Sequence, residues 1–321
     1  MMQKRILLLS LIGMACAMTS FNPHPPKKSA LNTIIIDPGH GGFDHGTHGL
    51  FSKEKDITLA ISLKLGKAIQ ENFPDIKIVY TRTTDIMPGN ATNIHEGLRY
   101  RADLANKSKG DLFLCIHGNS NGKAAGQYEV RHLTGYKFIK KGKKKKKVPV
   151  YEYSTEKNKT VGTATYVWKA MWGKYKGSVI NQQDPGEDMG DSAATPMDMS
   201  TPEARIRSQL YEKKYFANSS FFASLVENQF IKSGRHSEGV KQREVGIWVL
   251  EATGMPSVLI ETGYLTNEEE EKYLNSEEGQ DEIVQNIIDA LKNYKDYLEG
   301  VHRPSIPAAA DTTTAAGSGT P

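Results

Sequence analysis

The sequence predicts an α/β domain whose sheet of short apolar strands is covered by helices on both faces. Three observations carry this. Short apolar runs recur at Thr33–Ile36, Lys77–Thr81, Leu112–Ile116 and Ser257–Ile260. Helical patterns alternate with them, and strands buried on both faces read as continuous apolar runs. Apolar and charged fractions of 38% and 24% in 321 residues are those of an ordinary globular chain, which argues against global disorder.

Taken in order, Thr33–Ile36 is a β-branched strand, and the helix after it places Ile57, Ile61, Leu65 and Ile69 at four-residue spacing. Lys77–Thr81 is the second strand and Arg99–Asn106 continues a helix. Leu112–Ile116 and Ser257–Ile260 are buried strands. Glu282–Leu298 closes the domain as an amphipathic helix. Between the third strand and the last lies a long stretch, roughly 127–234, that reads as an insert. Its lysine run, Lys140–Lys147, is expected to be a solvated loop rather than a specific anion site. Gln182–Met199 is rich in Asp, Gly and Pro. A helix is expected after Pro202, with Ile206, Leu210, Phe222, Leu225 and Val226 on one face and Ser200 or Thr201 as its cap.

The ends read differently from the middle. Lys4 and Arg5 precede the apolar run Ile6–Met14, and Ala15-Cys16-Ala17 supplies small residues for cleavage. This is the order of a secretory signal over residues 1–17, which implies export. A short uncleaved anchor fits the flanks less well, and lipidation at Cys16 is weakened by Gly13 standing where leucine is preferred. Residues 18–31, with Pro23, Pro25 and Pro26, form an extended leader. The domain spans 32–298, and 299–321 is a disordered Ala/Thr/Pro/Gly tail. No transmembrane span is expected in the mature chain. The formal net charge of +4 is too small to argue for nucleic acid. With two cysteines, Cys16 and Cys115, there is no disulfide framework. Cys115 sits in an apolar run without basic neighbours, so it reads as core rather than as a nucleophile.

The chemistry gathers at strand ends. Ile34–Ile36 runs into Asp37-Pro38-Gly39-His40-Gly41-Gly42, Phe113–Ile116 into His117-Gly118-Asn119, and Val258–Ile260 into Glu261-Thr262-Gly263. Ligands collect beyond the carboxyl ends of strands in open α/β sheets, so His40, His117 and Glu261 share one edge. Glu54 joins them from the start of the first helix. Two imidazoles and a carboxylate suit a catalytic zinc, and a further carboxylate can act as general base. Glycines 39, 41 and 42 would let backbone pass close to the metal. Each residue alone also has a bland reading. His40 could decorate a turn, His117 could be a half-buried strand-end histidine, and Glu54 could simply favour a helix N-terminus. His45 and His48 are close enough in sequence to compete as ligands.

The motifs are recognisable as a set. Ile35–Gly42 resembles the opening motif of the zinc-dependent N-acetylmuramoyl-L-alanine amidases. Glu54-Lys55-Asp56-Ile57 with Leu59-Ala60 is similar to their second motif. Thr81-Arg82, Leu98–Ala102 and Asn106 resemble the family's middle section. Asp111–His117 resembles the strand of the second ligand histidine, and Pro256–Asn267 the segment that presents the catalytic glutamate. The resemblance runs in order from Asn32 to Tyr297.

It implies a single α/β domain with a mixed, largely parallel sheet and the zinc site at the carboxyl ends of the strands. It implies that His40, Glu54 and His117 hold Zn²⁺, with Glu261 as general base and then general acid. The reaction implied is cleavage of the amide between N-acetylmuramic acid and the L-alanine of the peptidoglycan stem, in the periplasm or cell wall, during wall remodelling or daughter-cell separation. Family members of the division type carry a helix over the zinc, so the insert, with Glu187, Asp188 and Asp191, could occlude the site until a protein activator relieves it. A surface excursion ending in the core helix after Pro202 is the plainer alternative. His45, and Asn119 where an aspartate could have been a ligand, depart from the family pattern and bear on the coordination number. Two other functions compete: a zinc amidohydrolase or peptidase acting on another amide, and a non-catalytic wall-binding regulator.

Overall fold

The architecture follows from which side chains each strand sends to which face. In the computed structural model, residues 29–141, 144–168, 202–242 and 247–301 are described. The secretory signal, most of the leader, the segment 182–199 with its three acidic residues, the expected caps Ser200 and Thr201, and the tail from 302 lie outside the described residues.

Strand β1 (Thr33–Pro38) leads through a glycine-rich loop to helix α1 (Glu54–Asn72), strand β2 (Lys77–Tyr80) and helix α2 (Ile94–Lys107). Strand β3 (Leu112–Asn119) follows, then the paired strands β4 (Gln127–Lys141) and β5 (Lys144–Lys157), and β6 (Thr163–Val167). Helix α3 (Pro202–Lys232), strand β7 (Ser237–Gln242), the short helix α4 (Trp248–Glu251), strand β8 (Ser257–Tyr264) and helices α5 (Glu268–Asn275) and α6 (Glu277–Leu298) complete the described chain.

Six strands form one mixed sheet in the order β2-β1-β3-β8-β6-β7. The first four run parallel, and β6 and β7 run against them. Alternation along β1 divides the core. Ile34 and Ile36 face one layer with α1, α3 and α6, through residues such as Ile61, Phe222 and Ile287. Ile35 faces the other with α2 and α4, through Ala105 and Leu250. Helices therefore cover both faces, because a period of two sends successive apolar residues to opposite sides.

The stretch 127–234 ends in a core helix, as the plainer alternative has it, and also supplies a strand to the sheet. It contributes β6, between β8 and the edge strand β7, and it contributes α3 to the core. The lysine run departs from expectation: Lys140 and Lys141 pair with Lys145 and Lys144 in an antiparallel ribbon instead of a loop. Helix α3 also departs. Phe222 and Val226 are buried, but Ile206 and Leu210 are 58% and 62% exposed. At about 1.5 Å per residue, a helix of 31 residues is longer than the strands it covers, which leaves part of its apolar stripe without a sheet to pack on.

Phe222→Ala is expected to lower unfolding stability by about 3–5 kcal/mol, since a large buried ring would leave a cavity. Ile206→Ala should stay within about 0.5 kcal/mol. Urea denaturation of both variants checks this, and equal losses would contradict the placement of the helix.

Candidate metal centre

Three segments meet at the carboxyl edge of the parallel strands. His40 follows β1, Glu54 opens α1 and His117 lies near the end of β3. Their ligand atoms all lie within 4.8 Å of one another, the one such group of three or more metal-ligating side chains among the described residues. The carboxylate of Glu54 is the hub. Its Oε1 is 3.0 Å from His40 Nε2 and 2.7 Å from His117 Nδ1, and it accepts from the Gly118 N–H at 3.1 Å. Its Oε2 accepts from the Thr47 N–H at 2.7 Å. The imidazoles meet edge to face, with ring centroids 4.9 Å apart.

His40 holds an unusual backbone, with φ of 59°. Two buried arginines support it by donating to carbonyls. Arg101 donates to the carbonyls of Pro38 and His40, at 2.8 and 2.6 Å, and pairs with Asp37. Arg82 donates to the carbonyls of Gly39 and Lys55, both at 2.8 Å, so one guanidinium joins the His40 loop to the start of α1. Burial, and then the charge of Arg101, draw Arg82 down to about 10, which leaves it charged at neutral pH. On the opposite side of α1's entry loop, Glu271 accepts from the N–H groups of Leu50, Phe51 and Ser52.

Close packing leaves no room for side chains at two glycines here. A Cβ at Gly39 would lie 2.6 Å from the His117 ring, and one at Gly46 would lie 2.6 Å from both Glu54 and His40. Gly41 and Gly42 serve another purpose than expected. They abut the loop at Ile86 and Met87 rather than the three ligand side chains.

Glu261 lies beside this group on the next strand. It is buried, and its partner across the parallel β3–β8 ladder is His117. Thr262 Oγ1 donates to the His117 carbonyl at 2.9 Å, tying the two strand ends together. His45 and His48 pair with each other, rings 5.4 Å apart, and neither belongs to the ligand group. Asn119 is buried, and its side-chain oxygen accepts from the Ser120 N–H at 2.8 Å.

Two imidazoles and one carboxylate converging on a common point fit a divalent transition metal, zinc among them. Asp44, which sequence reasoning missed, strengthens the fit. Its Oδ2 lies 2.9 Å from His40 Nδ1, the carboxylate–histidine arrangement that orients a metal-binding imidazole. The only signal in the sequence was its position four residues after His40 in the same glycine-rich loop.

Residues 34–293 match the N-acetylmuramoyl-L-alanine amidase family. The chain belongs to that family. It is similar to the amidase AmiC of Escherichia coli strain CFT073, 28% identical over 276 residues, covering 85% of this chain and 55% of AmiC. It thus spans about half the length of that relative. AmiA of Escherichia coli K12 is 26% identical over 275 residues, covering 85% of this chain and 79% of AmiA. Among solved structures, the amidase of Clostridium difficile 630 aligns with a TM-score of 0.52 at 24% identity, over 84% of this chain and 98% of its own. The CwlD amidase of Clostridioides difficile, solved in complex with the GerS lipoprotein, aligns at 0.51 and 21% identity, over 83% of this chain and 99% of its own. These structures share the fold of the amidase domain described here.

The electrostatics of this centre predict how it responds to pH. Burial pushes the His40 imidazole down, but Asp44 and Glu54 more than reverse this and raise it from 6.5 to about 9. Burial likewise raises Glu54, yet contact with His117 and His40 holds it well below the ordinary carboxylate range. A metal needs the neutral imidazole, so zinc affinity is expected to fall about tenfold per pH unit below about 9. In the metal-free protein the dependence reverses: the stabilisation from charged His40 is complete below 6.5 and is lost as pH rises through about 9. Asp44→Asn should weaken zinc binding by about 10–100-fold and move the pH dependence downward. Zinc competition against a chromophoric chelator across this range measures both; an affinity already flat above neutral pH would contradict the assignment.

Proposed function

We propose that this chain is an exported zinc hydrolase that cleaves the amide between N-acetylmuramic acid and the L-alanine beginning the peptidoglycan stem peptide. The observation that carries the reading is the convergence of His40, Glu54 and His117, with Glu261 opposite His117 on the adjoining strand, in a member of this amidase family. Export is supported by the basic, apolar and small-residue order of residues 4–17, and action in the periplasm or cell wall follows from it. No helix among the described residues is long and apolar enough to cross a membrane.

In this mechanism His40, Glu54 and His117 hold the zinc, which supplies Lewis acidity toward water and the scissile carbonyl. Asp44 keeps the proton of His40 on Nδ1, leaving Nε2 as the donor atom that faces Glu54. Glu261 takes the proton from the attacking water and returns it to the departing nitrogen of alanine. Its strand supports that work. The extended backbone and the ladder to β3 hold residue 261 in register with His117, so little reorganisation is needed as the proton moves. The arginine-held carbonyls of residues 38–40 keep the other wall of the site from yielding.

Glu261→Gln should reduce turnover by about 10²–10⁴-fold while leaving zinc content unchanged. Near-normal turnover would remove Glu261 from the mechanism, and loss of zinc would make it a ligand. Product analysis on purified peptidoglycan tests the bond assignment: free stem peptides beginning with L-alanine are expected, and cleavage within the stem would point to a peptidase.

A role in wall remodelling or daughter-cell separation extends the same reading, with an activator that lifts residues 182–199 away from the zinc. Support comes from connectivity. The segment follows β6 in sequence, whose Ala164 pairs with Glu261 of β8, and carries Glu187, Asp188 and Asp191. Replacing 182–199 with a short Gly/Ser linker should raise turnover several-fold; unchanged turnover in a folded, zinc-loaded variant would sink the occlusion.

A further inference from the structure

The site described above leaves one large feature unexplained. Strands β4 and β5 hydrogen-bond to each other and, as a two-stranded sheet, to none of the six strands of the main sheet. At about 3.4 Å per residue, the 15 residues of β4 make an arm about 50 Å long. Residues 127–157 hold ten Lys or Arg against three Asp or Glu, while the rest of the chain is net acidic. The outer half is more extreme: Tyr136–Val148 contains eight lysines and no acidic residue.

The ladder shows how these residues are distributed. Directly paired residues share a face, so Phe138 with Lys147, Tyr136 with Pro149, Leu133 with Tyr151 and Arg131 with Tyr153 all lie on one side of the ribbon. Leu133, Tyr136, Phe138 and Tyr153 there are 52–68% exposed. Lys147 lies over the Tyr136 ring at 4.1 Å and Arg131 over that of Tyr151 at 4.2 Å. Aromatic surface and cations therefore alternate along one open face. A two-stranded ribbon has little stability of its own in water, and an exposed apolar face of this kind marks a binding surface. The lysines oppose pairing with a second copy, since like charges would meet and charged edges resist added strands.

The arm leaves the ligand-bearing edge of the sheet. It follows His117 at the end of β3, and its root is held by the Gly126 N–H donating to the Thr266 carbonyl at 2.9 Å. Gly126 also packs against Leu50, in the loop that leads to Glu54. A partner reached by this arm is thus a partner that is also near the site.

We propose that the β4–β5 arm is a second, non-catalytic contact for peptidoglycan polymer. Its aromatic rings would stack on sugar faces and its lysines would meet the free carboxylates of uncut stem peptides. This rests on the substrate reading above and deepens it, because it makes the polymer, rather than a short free fragment, the preferred substrate. The mosaic of ring and cation suits a glycan bearing carboxylates better than the interior of a membrane, which would favour continuous apolar surface.

The test uses the full-length protein with Lys144, Lys145, Lys146 and Lys147 all changed to Gln. A Tyr136→Ser/Phe138→Ser variant and an all-Arg version of the four lysines accompany it. Co-sedimentation with insoluble peptidoglycan is measured with a chelator present, so that binding is read without turnover. Hydrolysis of a soluble muramoyl peptide is measured separately. The Gln variant is expected to bind the polymer about tenfold or more weakly and to lose most of its salt dependence. The Arg version should keep both, the aromatic variant should also bind weakly, and all should hydrolyse the soluble fragment within about twofold of wild type. Unchanged sedimentation of the Gln and aromatic variants overturns the proposal. So does a parallel loss on the soluble fragment, or wild-type binding to phosphatidylglycerol vesicles but not to peptidoglycan. If the wild type binds polymer yet cuts neither substrate, the arm stands and the catalytic reading fails.

Discussion

The buried Arg101–Asp37 pair is the constraint on which the site depends. A charge taken out of water at a strand end is stable only if it is paired and its remaining donors are used. Asp37 accepts from Arg101, Thr81 and Cys115, so β1, α2, the residue after β2, and β3 are joined at one carboxylate. Arg101 spends its other donors on the carbonyls of Pro38 and His40. The same interaction that neutralises the buried charge therefore sets the loop carrying His40, and does so with φ at 59°, where a non-glycine residue needs outside support. Arg82 extends this control to α1, whose first residue is Glu54.

Glu54 then has little freedom. Four contacts converge on its two oxygens, two from backbone N–H groups and two from imidazoles. A carboxylate held in this way is a poor general base, because its charge is already stabilised from several directions. Glu261 is buried on the next strand, level with His117 in the β3–β8 register. Two glutamates at one sheet edge thus reach it from different elements, Glu54 from the start of α1 and Glu261 from β8.

Much of this was legible in the sequence, for identifiable reasons. Strands such as Ile34–Ile36 and Phe113–Ile116 announce themselves because both faces are buried, and His40, His117 and Glu261 stand where those runs stop. Periodicity also found α1 and α6. It could not find Asp44, whose contact depends on the turn geometry of the loop, or the arginine–carbonyl bonds, which span 27 to 63 residues and leave no local pattern. Ile206 and Leu210 misled because spacing reports an apolar stripe but not how far the sheet beneath it extends. The lysine ribbon misled for a related reason: charge argues for solvent, and a strand pair exposed on both faces satisfies that as well as a loop does.

Cys115 ends up as the molecule's quietest reactive group. Its thiol is fully buried, donates to Asp37 at 3.0 Å, and is raised well above its ordinary value by burial and by the neighbouring carboxylate charge. Thiol exchange and oxidation both proceed through an accessible thiolate. Cys115 offers neither access nor charge, and it is the one free cysteine among the described residues. The described domain should therefore keep its structure and chemistry in reducing and oxidising surroundings alike, with no bond to make or break as the environment changes.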